Sequence, residues 1–137
     1  AKEISDILKS SHLICDRYVE SNMGHQGGKI KDPKKREELF KWLEDLEYKF
    51  LNLPKPDAII FLYMPCLYSM GLKKQMNVKL DGHESNPEHL KAAEESYLQL
   101  AKRNNWIKID CIEKNEPRSI EDISEEIYEK VIPLFSP

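Results

Sequence analysis

Apolar residues recur along this chain with two different spacings, and the elements they predict alternate between helix and strand. Ile4, Ile7 and Leu8 sit at helical spacing, so residues 2–10 read as the end of a helix. His12-Leu13-Ile14-Cys15 is a short apolar run that stops at Asp16, the pattern of a buried parallel strand. From Tyr18 to Gly28 the chain is polar and holds Gly24, Gly27 and Gly28, which predicts a helical turn or two and then a loop. Asp32-Pro33 is a helix start, an acceptor followed by proline at the first helical position. Leu39, Leu43, Leu46 and Phe50 continue that helix as one apolar stripe, and Pro54 and Pro56 close it.

The second half repeats the alternation. Ala58-Ile59-Ile60-Phe61-Leu62-Tyr63 reads as a buried strand, and a helix is expected from Cys66 to about Gln75. Residues 76–86 carry little periodicity and read as a loop. Asn86-Pro87 starts another helix, with Leu90, Ala93, Tyr97, Leu100 and Ala101 on its buried face. Trp106-Ile107-Lys108-Ile109-Asp110-Cys111 is a third strand. Ser119 with Asp122 three residues on resembles a capping box, ahead of a final helix striped by Ile120, Ile123, Ile127 and Val131. Helices alternating with short apolar strands mean an α/β layered domain with a parallel sheet, in which ligands bind outside the carboxyl ends of the strands. Those ends are Asp16-Arg17, Met64-Pro65 and Cys111-Ile112.

Composition narrows the classes. The chain has 137 residues, 40% of them hydrophobic and 33% charged, with a net charge of −3. That is ordinary for one globular domain, and it argues against a general nucleic-acid binder, which needs a basic surface. No apolar run approaches the roughly 18 residues needed to span a bilayer. Cys15, Cys66 and Cys111 form no CxxC pair and read as small buried thiols in a reducing cytoplasm. His12, His25, His83 and His89 have no zinc-ligand spacing, and no Ser sits in a nucleophile elbow.

Arg17 offers a planar fork of donors matched to phosphate oxygens, and Asp16 can orient it or hold a magnesium-bound water. In isolation such a pair is more simply a surface salt bridge. Its context is longer. Asp16-Arg17-Tyr18-Val19-Glu20-Ser21-Asn22-Met23-Gly24-His25-Gln26-Gly27-Gly28 resembles the thymidylate kinase signature, in which Asp-Arg-Tyr leads to Ser, then Ser or Asn, then Tyr-Gln-Gly. Leu53-Pro54-Lys55-Pro56-Asp57 looks like that family's lead into its next strand. Asp81-Gly82-His83-Glu84 occupies the place of its Asp-Arg-x-Glu lid segment, and Tyr97-Leu98-Gln99-Leu100-Ala101 resembles its Tyr-x-x-Leu-Ala helix.

The resemblance implies a three-layer P-loop kinase that moves the γ-phosphoryl group of ATP, with Mg2+, onto thymidine monophosphate on the way to dTTP. Arg17 would bind the monophosphate, with Asp16 and Ser21 beside it. Asn22 and Gln26 would face the base, and His25 would lie near the deoxyribose, where the family often has Tyr. A solvated loop histidine is the plain alternative for His25. Residues 71–86 would be the lid, in which Lys73 and Lys79 join Arg17 and Glu84 as catalytic candidates and His83 reaches the substrate. Lys74 and Arg118 are the ATP-binding candidates, and Ser119 is more simply a helix cap. A solvated charge run is the plain alternative for at least one of the three lysines. Homodimer formation through helices like residues 33–51, where Phe40 and Trp42 flank the stripe, is likewise implied.

One element of the resemblance is absent. No Gly-x-x-x-x-Gly-Lys-Ser/Thr occurs; the superficially similar Gly24-His25-Gln26-Gly27-Gly28-Lys29 has Met23 and Ile30 where that motif wants Gly and Ser or Thr. The expectation is therefore the carboxyl-terminal portion of one such domain, holding the family's third, fourth and fifth strands. It would be completed by an upstream P-loop segment, and unstable and inactive without it. A non-catalytic nucleotide-binding or interaction module and a deoxynucleoside kinase are the competing readings.

Overall fold

The computed structural model describes residues 2–75 and 86–135. The elements are α1 (Lys2–Ile7), α2 (Val19–Gly28), α3 (Pro33–Glu44) running into a π-helical turn (Asp45–Phe50), β1 (Ile60–Tyr63), α4 (Cys66–Gln75), α5 (Pro87–Arg103), β2 (Ile107–Asp110), β3 (Ile112–Glu113), β4 (Glu116–Pro117), α6 (Ile120–Val131) and a closing 3₁₀ turn (Ile132–Phe135). Helices together with a parallel strand pair make an α/β architecture. The residues divide into two compact units, Ala1–Asp57 with Glu88–Tyr97, and Ala58–Pro87 with Leu98–Pro137. Among the described residues no helix is long and apolar enough to cross a membrane.

In the first unit α2 corrects the expectation of a short turn and loop. Three glycines within ten residues disfavour a free helix by about 1 kcal/mol each relative to alanine. Tertiary contact reverses that preference. A Cβ on Gly27 would sit 2.3 Å from Ser96 Oγ and 2.6 Å from the Phe40 ring, and one on Gly24 would sit 2.4 Å from the Tyr97 ring. Met23, Phe40 and Ser96 are fully buried around this approach. Arg36, itself buried, closes the far end of α2. Its Nε donates to the carbonyls of Gly27 at 3.0 Å and Ile30 at 3.1 Å, and its Nη2 donates to Ile30 at 2.8 Å. A cation there also suits the negative end of the helix dipole.

α3 begins as its caps foretell: Asp32 Oδ1 accepts from the Lys34 amide at 2.9 Å, with Pro33 at the first position. Its buried line is Arg36, Phe40 and Leu43, not the stripe through Leu39, Leu43, Leu46 and Phe50, and Phe50 is 83% exposed. The π turn accounts for the exposure of Phe50, which follows the regular part of the helix. The Leu51 amide bonds Leu46 O at 2.9 Å, and this wider turn rotates the following residues off the helical face. Residues 12–15 are not a strand, and Ile14 is 87% exposed with Cys15 also exposed. A strand exists by backbone pairing, and among the described residues none pairs with this segment. Among the described residues the expected three parallel strands are therefore two.

The second unit is built on those two. β1 pairs with β2 in parallel, Ile60 opposite Ile107 through Tyr63 opposite Asp110. Leu100, Ala101, Ile109 and Cys111 are buried. The chain then makes a short antiparallel hairpin, β3 with β4, which the hydrophobic pattern does not announce. Its turn residues Lys114 and Asn115 both have positive φ, 49° and 66°, the backbone of a tight primed turn. Ser119 caps α6, its Oγ accepting from the Asp122 amide at 3.0 Å. Ile123, Ile127 and Val131 are half-buried, whereas Ile120, at the first position of α6, is 82% exposed.

Gly27→Ala should lower stability by about 1–3 kcal/mol, because overpacking outweighs the better helix former. Chemical denaturation at equal concentration measures it; a variant as stable as the parent contradicts the close approach.

Candidate functional site

Arg17 carries the one unusual backbone in the segment leading into α2, with φ at 73°. A left-handed conformation in a non-glycine residue costs about 1–3 kcal/mol and persists where neighbours hold it. The neighbours here are tied. The Tyr18 hydroxyl donates to Pro54 O at 3.1 Å, and Glu20, buried in the first turn of α2, accepts the Tyr48 hydroxyl. Burial first, and then the bond to Glu20, push the Tyr48 phenol far above its ordinary value, so it remains a donor. Arg17 itself is exposed, immediately before the amino-terminal end of α2, where the helix dipole also favours an anion.

The guanidinium is directed along α2. Arg17 Nη2 lies 3.2 Å from His25 Nε2. Because guanidinium only donates, His25 accepts, which requires the neutral imidazole with its proton on Nδ1. The His25 ring meets Tyr97 edge-on, with centroids 5.6 Å apart and an interplanar angle of 86°. The Tyr97 hydroxyl donates to Ser21 O at 3.0 Å and lies 3.5 Å from Ser21 Oγ. Arg17, Ser21, His25 and Tyr97 thus form one connected group. Asn22 and Gln26 sit one residue further round the helix. Gln26 Nε2 donates to Asn22 Oδ1 at 3.4 Å and Lys29 Nζ donates to Gln26 Oε1 at 3.0 Å. Both amides line an open groove of about 500 Å³ walled by Ile30, Leu39, Trp42 and Leu43. Chemically, the first group offers a fixed cation at a helix start, and the groove offers amides beside an apolar wall.

The chain is 31% identical over 116 residues to "Probable thymidylate kinase" of Sulfolobus acidocaldarius, covering 85% of this chain and 52% of the relative. It is 30% identical over 134 residues to "Probable thymidylate kinase" of Methanocaldococcus jannaschii, covering 96% and 61%. It is 26% identical over 125 residues to "Thymidylate kinase" of Plasmodium falciparum, covering 91% and 51%. The chain is a thymidylate kinase homologue. It spans about half to three fifths of the length of these relatives. No family model and no solved structure matches it.

Other residues expected of a thymidylate kinase homologue lie apart from this group or outside the description. Asp16 is exposed just before Arg17. Lys79, His83 and Glu84 lie outside the described residues, as does most of segment 71–86. Lys73 and Lys74 fall on α4, but their side chains are outside the description. Arg118, in the second unit, donates through Nη1 to Asp110 O at 2.9 Å and to Glu126 Oε2 at 2.5 Å, in a groove lined by Glu113, Asp122, Glu125 and Glu129. Among the described residues no cluster of three or more His, Cys, Asp or Glu is placed to hold a metal ion.

Sequence reasoning passed over Glu20 and Tyr48. Glu20 stands at helical spacing from Met23 and Gly27, on the buried side of α2, and an acid on such a stripe is the signal that a partner must exist. Nothing in the sequence names Tyr48 as that partner.

The Lys130 ammonium, and then the Arg118 guanidinium, hold the Glu126 carboxyl below the usual carboxylate range. A carboxylate depressed on folding stabilises above its unfolded value, about 4.3, and that contribution fades as pH falls through the folded value. Glu126→Gln should melt below the parent at neutral pH, with the gap closing as the pH falls below about 4. Thermal melts across that range check it; a gap that is constant or widens in acid contradicts the pairing.

Proposed function

We propose that this chain is the acceptor side of a thymidylate kinase, binding thymidine monophosphate for phosphorylation by ATP. The observation that carries the proposal is the placement of Arg17. On a homologue of thymidylate kinases, a left-handed backbone sets an exposed guanidinium at the start of α2 and in contact with His25. Arg17 grips the monophosphate through charge-assisted hydrogen bonds, and Ser21 and Asp16 stand beside it. His25 borders the sugar, and the amides of Asn22 and Gln26 meet the edge of the base.

Phosphoryl transfer is largely positioning and charge stabilisation, so the acceptor side must hold the monophosphate still while cations gather around the γ-phosphoryl group. Those cations would come from Lys73, Lys74 and Lys79 of the lid, with Glu84 and His83 arranging it and Arg118 at the nucleotide end. The phosphate-cradling P-loop would belong to the part of the relatives that this chain does not span. Mg2+ would accompany ATP and neutralise charge on its phosphates while keeping several waters, and Asp16 is the carboxylate that would be offered to one of those waters. Trp42, more than half exposed, supports a homodimer through helices like residues 33–51, whereas Phe40 is fully buried against Gly27 and is not part of such a face.

A coupled assay on the complete protein, with thymidine monophosphate against thymidine as acceptor, tests this reading. Turnover of the monophosphate is expected, and Arg17→Ala should lower its kcat/KM by about 10- to 100-fold, the worth of a lost charge-assisted contact. Turnover of the nucleoside alone contradicts it.

A further inference from the structure

Arg17 is followed by two anchors that monophosphate binding does not itself require. Tyr18 is tied to the Pro54 carbonyl, and Glu20 to the Tyr48 hydroxyl. Both partners come from one stretch, the π turn and the residues just after it. Glu20 is 8% exposed, so its carboxylate has little water and needs the donor that Tyr48 supplies. The π turn that carries Tyr48 is the same one that rotates Phe50 off the helical face, and such turns recur at functional positions. A left-handed arginine relaxes unless the chain beside it is held, and Glu20 is the first buried polar side chain after it.

We propose that Glu20 and Tyr48 are positioning residues for Arg17: the bond between them pins the chain just after Arg17, at the start of α2, and so keeps Arg17 in the left-handed backbone from which its guanidinium meets a monophosphate. The second half of this statement rests on the thymidylate reading, and the first half does not. Neither side chain touches the ligand. Their effect therefore appears on phosphate recognition and not on recognition of the nucleoside.

The test uses the complete protein labelled with 15N and 13C. Tyr48→Phe keeps the ring and removes the hydroxyl. Without ligand, Arg17 should show the strong intraresidue amide-to-α-proton NOE of a positive φ and lose it in Y48F, while the amides of Gly27 and Ser96 keep their shifts. Thymidine monophosphate should bind Y48F about 10-fold more weakly, with thymidine affinity changed by less than about twofold. Glu20→Gln, which leaves Tyr48 an acceptor, should stay near the parent in both measurements, and Glu20→Ala should behave as Y48F. If Y48F does not fold, the contrast between the two Glu20 variants decides the matter. An unchanged NOE and unchanged monophosphate affinity overturn the proposal, as do equal losses for monophosphate and nucleoside, which would make the pair plain scaffolding. If the NOE disappears in Y48F but the parent does not bind thymidine monophosphate, the thymidylate reading fails and the positioning of Arg17 stands.

Discussion

At Gly27, α2 lies so near Ser96 and Phe40 that no side chain fits between them. That contact turns a glycine-rich stretch into a helix. It also gives the helix a fixed direction, because Arg36 closes its far end on the Gly27 and Ile30 carbonyls. The start of α2 is thereby set in place, and the start is where the chemistry gathers. Arg17 stands just before it, and Ser21 and His25 follow on successive turns of one face.

Position alone does not make a recognition site. The guanidinium must also be presented, and this chain does so through an unfavourable backbone at Arg17 held by bonds on its carboxyl-terminal side. Local strain stabilised by surrounding structure is a common arrangement at binding sites, since it leaves little freedom to lose when a ligand arrives. His25 accepts from Arg17, which gives the guanidinium a direction.

Much of the fold could be read before any coordinates. The caps at Asp32-Pro33 and Ser119 mark two helix starts correctly, and the apolar runs before Tyr63 and Asp110 become the parallel pair. Failures came where distant residues decide local form. Glycines in α2 read as breakers because their partners, Ser96 and Tyr97, lie some seventy residues on. The α3 stripe failed at Phe50 because a π turn has no signature in a simple periodicity. Residues 12–15 have the composition of a strand without a paired neighbour. The hairpin turn escaped notice because Lys114-Asn115 contains no glycine, although both residues take positive φ. At the site, Arg17, Ser21, His25, Asn22 and Gln26 were legible from one motif. The Glu20–Tyr48 bond was not, since its members are 28 residues apart.

The account stands on Arg17 as the anchor for a phosphate. The most direct measurement follows its Nε–Hε resonance by NMR while the complete protein is titrated with thymidine monophosphate and, separately, with thymidine. A saturable shift with the monophosphate and none with the nucleoside is the predicted result. A monophosphate that binds while leaving the Arg17 resonance where it was would contradict the account.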